Sequence, residues 1–282
     1  MLSKIIRICP VVFLLLGAGC ATVPYRQGVR LEDSRLPPEP FAEVQIVRGR
    51  PNRFLDASDW MWPGSWLRKL VLWDVRVDNH HIGEETEAVL AMYLAVNELD
   101  HVKVRLNQYA PGNEFRRIVA NKSMGAGWRY TLGMFSWLQY TFLPGRFFGG
   151  DHYNPYSNTI SLYTDIPAIA VHEGGHAKDF AGETLKGTYA FIYLVPFFNL
   201  NHEARASNDA LGYLRAYESP ELQREGYRIL HPAYGTYLGT NIAIFLPDRG
   251  LLYYSGAILG GHITGRFSAA DISDLDEKPE YE

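Results

Sequence analysis

The sequence predicts an α+β domain with a small mixed sheet and a mostly helical C-terminal half. Three observations carry this. Residues 101–109 and 153–163 have the turn residues and alternation of strands. Residues 166–180 read as a helix with Pro167 in its first turn. Residues 200–217 read as a further helix, and 232–246 and 250–266 are apolar and Gly-rich in the manner of buried helices.

The N-terminus opens with Lys4 and Arg7, an apolar run over residues 5–16, and then Gly17, Ala18, Gly19 and Cys20. That order resembles a bacterial lipoprotein signal. The resemblance implies removal of residues 1–19 and lipidation of Cys20. It also implies a place in a Gram-negative-type cell envelope, with Ala21 directing the protein to the outer membrane, facing the periplasm. Cys9 and Cys20 are the only cysteines, so such processing leaves no thiol for a disulfide or a nucleophile. Residues 20–58 are expected to be the lipid-bearing Cys and a Pro-rich tether, with Pro24, Pro37, Pro38 and Pro40. Residues 59–268 form the expected domain, and residues 269–282 an acidic flexible tail. A hydrophobic fraction of 47% over 282 residues is enough for one sizeable core. With a formal charge of -4, no stretch supplies the basic face that a nucleic-acid partner requires.

Within the domain, residues 59–73 carry Trp60, Trp62, Trp66 and Trp73 beside Arg68 and Lys69, a composition suited to a lipid–water boundary or to core and rim packing. Residues 84–99 read as a helix with acids in the first turn and Ala88, Val89, Met92 and Val96 on an apolar face. In residues 101–109, Val102, Val104 and Leu106 alternate with Lys103, Arg105 and Asn107, which predicts a half-buried strand. Residues 127–148 are heavily aromatic and end near a turn at Pro144-Gly145. Glycines recur four apart at Gly235/Gly239, Gly256/Gly260 and Gly261/Gly265, a spacing that lets helices approach closely. Each apolar run is shorter than ~18 residues, which favours buried helices over membrane spans.

His172-Glu173-Gly174-Gly175-His176 is the sharpest feature. At about 100° per residue, positions four apart lie about 40° apart on one helical face, so both imidazoles reach one metal ion. Glu173 sits about 100° round from His172, beside the ion rather than on it. That suits a base acting on metal-activated water, and zinc suits imidazole ligands with an open fourth position. The glycine pair costs helix stability and marks close approach of another backbone.

This motif, the strand before it and an acid on a later helix resemble the zincin metallopeptidases. The resemblance implies a zincin-like fold, with the sheet packed on the motif helix, and one zinc ion. It implies hydrolysis of a peptide or protein substrate, with Glu173 as the base. The metzincin branch is excluded, because the position six residues after His176 is Gly182. The glutamate branch implies Glu203 as the third ligand, and its usual Asp four residues later is Ser207 here. Asp179 remains open as a ligand or, more in keeping with a single rigid helix, as an acceptor behind an imidazole N–H. Glu183 and His202 are lesser candidates. For the developing oxyanion the candidates are His231, Tyr234, Tyr237, Arg205 and His262. His231 and Tyr234 are favoured because they follow the third-ligand helix after a break. The strand at 159–163 is expected to be an edge that pairs with an extended substrate. The rival expectation is a non-catalytic envelope lipoprotein with a closed, structural zinc site, acting as a binding or assembly factor.

Overall fold

The computed structural model describes residues 45–50, 52–60 and 62–273. The expected signal, Cys20 and the Pro-rich residues up to 44 lie outside the described residues, as does the acidic segment from 274. The elements in chain order are β1 (Ile46–Arg48), α1 (Arg53–Trp60), α2 (Pro63–Leu72), α3 (Glu84–Val96), β2 (Lys103–Leu106) and α4 (Pro111–Ala120). A short helical turn (Ala126–Trp128) and a π-helical stretch (Arg129–Gly133) lead into α5 (Met134–Phe142). There follow α6 (Gly145–Phe148), β3 (His152–Asn154), β4 (Thr159–Leu162), α7 (Pro167–Gly182), α8 (Lys186–Tyr193), α9 (Phe198–Tyr217), α10 (Pro220–Phe245) and α11 (Gly250–Ala270). The chain is α+β, mostly helical, with a mixed sheet of four strands in the order β1-β2-β4-β3.

β1, β2 and β4 run parallel, with Val104 opposite Ile160 and Leu106 opposite Leu162, and β3 closes the sheet antiparallel to β4. Two expectations are corrected here. β4 is an interior strand, flanked by β2 and β3, and the edge on its side of the sheet is β3. β2 is buried on both faces rather than one. Its polar face is satisfied internally: Arg105 pairs with Glu114 of α4 and donates to Asn113, and Asn107 donates to the His80 carbonyl. A strand whose polar side chains find partners inside the protein gains little from facing water.

α7 follows β4 after four residues and runs through the core. It is buried on nearly every side, which explains its weak amphipathic pattern. Asp165, just ahead of it, accepts from the Gly83 N–H (2.8 Å) and the Thr86 hydroxyl (2.7 Å), tying the start of α3 to the start of α7. Leu90 and Tyr93 of α3, Ile160 and Leu162 of β4, and Ala210 and Leu214 of α9 pack around it in one cluster.

The domain boundaries also shift. The expected tether to residue 58 includes β1 and most of α1, and the expected tail from 269 includes the end of α11, where Ala269 is buried. α10 continues through Pro232, which is buried inside the helix. α10 and α11 form a close hairpin. A Cβ on Gly235 would lie 2.6 Å from the Ala257 oxygen, and one on Gly261 2.5 Å from the His231 oxygen, so only glycine permits this approach. Gly256 and Gly260 face away and would meet nothing within 4 Å. Among the described residues, no helix is long and apolar enough to cross a membrane.

Candidate metal centre

The two histidines of α7 and Glu203 of α9 converge. His172 Nε2 lies 3.2 Å from Glu203 Oε2, and His176 Nε2 lies 3.5 Å from Oε1. The two imidazoles stand nearly perpendicular, 4.7 Å apart at their centres. All three side chains are buried, and their ligand atoms lie within 4.8 Å of one another. The glycine pair creates this geometry. A Cβ on Gly174 would lie 2.6 Å from the Tyr93 ring of α3, and one on Gly175 2.9 Å from the Ala206 oxygen of α9. Gly175 therefore lets the backbone that carries Glu203 come against the motif helix.

The residues fit a metal ion. A tetrahedral ion about 2.0–2.1 Å from each donor separates neighbouring donors by about 3.3–3.4 Å, close to the spacings found. Glu203 Oε2 is buried and has no hydrogen-bond partner, as expected of an oxygen whose partner is a cation. His172 Nδ1 lies 3.3 Å from the Ser207 hydroxyl, one helical turn beyond Glu203, which leaves Nε2 for the ion. His172, His176 and Glu203 thus form a group that could hold a metal ion.

Glu173 is buried beside this group and faces a cavity of about 300 Å³. Burial raises its carboxyl to about 8, against a lowering by His172 and with further raising by Asp151 and Glu203. A bound cation would act in the opposite direction. The Tyr153 N–H of edge strand β3 donates to Glu173 and sets its orientation. Asp151 accepts from the Tyr163 and Thr164 N–H groups and lies in the same cavity wall. Much of the rest of the wall is apolar or aromatic, with Leu132, Phe135, Tyr156, Phe180 and Leu194.

Two phenols border the group. The Tyr193 hydroxyl donates to Glu203 Oε1, and the Tyr237 hydroxyl bonds to the same carboxylate. Burial, then the Glu203 charge, raises the Tyr193 hydroxyl far above its ordinary value, and for Tyr237 the Glu203 charge comes first. Both are therefore held as donors. Tyr237 was one of five candidates in the sequence. Tyr193 was not singled out. Its signal was positional, since it lies in the short segment joining the two ligand-bearing helices and must pass the site.

The favoured pair His231 and Tyr234 is not brought to the metal group. His231 Nδ1 lies 3.0 Å from the Thr264 hydroxyl, and both residues line a second cavity, about 490 Å³, between α9, α10 and α11. The reason is helical phase: Tyr237 is rotated about 240° from His231 and points to the other side of α10. Asp179 does not back an imidazole of the motif. It accepts from Tyr189 (2.5 Å) and Arg205 (2.9 Å). It shares His172's face, but seven residues of helix carry it about 10 Å along the axis. Glu183 lies 3.7 Å from Arg205, and the His262 ring bonds the Val71 carbonyl. His202 packs against Tyr189 and Tyr193, with Nδ1 3.9 Å from Asp179, and does not join the group. Comparison of the chain with protein-family models, curated proteins and solved structures finds no match.

Proposed function

We propose that the chain is a zinc-dependent hydrolase of the zincin type, in its glutamate branch, that cuts peptide bonds. In this reading Cys20 anchors it in a bacterial envelope, at the outer membrane facing the periplasm. The carrying observation is the convergence of His172, His176 and Glu203 on one point, with Glu173 beside it on the cavity side. Two neutral imidazoles and one carboxylate suit zinc better than a harder, oxygen-seeking cation.

A zinc ion bound there would supply the Lewis acidity that activates water and polarises a carbonyl. Glu173 takes a proton from the attacking water and passes it to the leaving amine. Its buried setting, which favours the protonated form, suits it to hold that proton between the two steps. Tyr237 and Tyr193 keep their protons and in this structure give them to Glu203; with that carboxylate engaged by a cation, either hydroxyl could turn to donate to the oxygen on which negative charge develops. β3, and not β4, is the strand along which an extended peptide would lie.

A purely structural zinc site needs four protein ligands. Among the described residues the group has three, while Asp179 is engaged by Tyr189 and Arg205 and His202 is packed against Tyr189. This favours the hydrolase over the non-catalytic assembly factor. Glu173→Gln tests the reading: it should retain full metal while hydrolysis of a peptide mixture falls roughly 10²–10⁴-fold. Undiminished hydrolysis by the metal-loaded variant would refute the role of Glu173. A metal-loaded wild type with no hydrolysis at all would favour the assembly factor.

A further inference from the structure

α2 is turned inside out. Its inward face, at the helical spacing of 65, 68, 69 and 72, carries Ser65, Arg68, Lys69 and Leu72. Ser65 is 0% exposed. Arg68 donates to the buried Asp78 and to the Phe148 carbonyl, and Lys69 donates to Ser65 (2.8 Å) and to the Val77 carbonyl. The outward face is apolar: Trp66, Leu67 and Leu70 are 56%, 55% and 68% exposed, and Trp73, which ends the helix, is 57% exposed. A helix facing water places its charges outward and its leucines inward. Here both basic side chains are spent on internal carbonyls and a carboxylate, and the solvent side is left to tryptophan and leucine.

This face continues onto α11. Trp73 stacks on His262 at 3.9 Å, and the His262 ring bonds the Val71 carbonyl. The exposed side of α11 carries Leu259, Ile263 and Phe267. Its one basic side chain, Arg266, lies over Trp73 at 4.5 Å and bonds His262. Around the Trp73–His262 contact, both helices therefore expose mainly aromatic and aliphatic side chains, with Arg266 as the charge that α11 adds.

We propose that this surface seats the folded domain on the lipid of a bilayer, as a second, peptide-borne contact in addition to the lipid on Cys20. Lipid is the occupant because of chain order and composition. α2 is among the first helices after the expected anchor, and the 24 residues between Cys20 and Gln45 reach at most about 85 Å, so the domain stays within range of the membrane that holds the anchor. Tryptophan on a leucine-rich face is the composition that settles at the boundary between headgroups and acyl chains. Because apolar side chains and not a basic cluster make up the face, binding should extend to zwitterionic lipid and respond little to salt. The inference rests on the anchored-protein reading for its membrane and is independent of the hydrolase reading.

The test uses the full chain, reconstituted into phosphatidylcholine vesicles whose acyl chains carry bromine, a quencher of tryptophan. Trp66 and Trp73 are two of the six tryptophans, so seating should quench up to about a third of the emission. Leu67→Glu with Leu70→Glu should restore most of it, with an unchanged circular dichroism spectrum and unchanged flotation with the vesicles. Ile263→Glu, on the other helix, should restore part. Flotation without quenching of the wild type would overturn the proposal and leave the anchor intact. Failure to float would overturn the anchoring reading and this proposal with it. Quenching that persists in the double variant would place the contact elsewhere. A self-associated wild type, unquenched and made monomeric by the double variant, would assign the face to a second copy of the chain and overturn lipid as its occupant.

Discussion

Ser207→Ala removes the one hydroxyl that bonds His172 behind the metal group. The contact is 3.3 Å between neutral groups, at the long end for a hydrogen bond. Such bonds contribute about 0.5–1.5 kcal/mol net, and this one belongs in the lower half of that range. At about 1.4 kcal/mol per tenfold, the loss corresponds to metal binding weakened roughly two- to fivefold. The effect runs through orientation: with Nε2 given to the ion, Nδ1 carries the proton and the serine oxygen accepts it. Ser207→Asp offers a charged acceptor at the same position, where charge-assisted bonds are about twice as strong, so it should tighten the metal while lowering the stability of the metal-free protein. The assay is competition with a chromogenic chelator at neutral pH, alongside thermal melting of the metal-free forms. An unchanged affinity in Ser207→Ala would show that the hydroxyl does not position His172. A loss as large as that of Glu203→Ala would show that Ser207 does more than orient a ring.

Two further predictions concern packing and pH. Gly175→Ala would gain about 1 kcal/mol on an open helix, but here its Cβ would sit 2.9–3.0 Å from the Ala206 backbone, so it should destabilise the fold by about 1–3 kcal/mol and weaken the metal by moving Glu203; a raised melting temperature would refute this. Lys186, which donates to the Phe180 and Ala181 carbonyls at the end of α7, has its ammonium lowered by burial from 10.5 to about 8. The unfolded chain then binds more protons than the folded one between about pH 8 and 10.5, so this lysine's contribution to stability rises with pH across that window. The stability difference between wild type and Lys186→Met should shift in favour of wild type from pH 8 to 10, and a difference independent of pH would refute the assignment.

The geometry of the motif was legible because it is local. His172, Glu173 and His176 fall on one stretch of helix, and helical geometry alone puts the imidazoles together and the carboxylate beside them. The α+β class and the helices at α3, α7 and α9 were legible for the same reason, each being a matter of period and composition over a dozen or so residues. Glu203 was read from a resemblance and not from spacing, and its arrival at the two histidines depends on how closely α9 lies on α7. The glycines announced that something approaches, without naming Ala206 and Tyr93 as what does.

The amino-acid sequence by itself determined the residue types of the site, the helix that carries most of it and the split between a small sheet and a helical remainder. Tertiary structure alone decided which strands are the edges, which face of α10 looks toward the His172–His176–Glu203 group, and where the charges of β2 and α2 are spent. Tyr237 reaches Glu203 and His231 does not, because six residues of helix set them about 120° apart around α10, toward different cavities. β2 is covered on its polar face because Glu114 lies across from Arg105, and α2 is inside out because the Asp78 carboxylate and the carbonyls of Val77, Asp78 and Phe148 lie beneath it. Periodicity reports that a segment has two faces. Which face is buried depends on the partners that the rest of the chain brings against it, and those contacts join residues far apart in sequence.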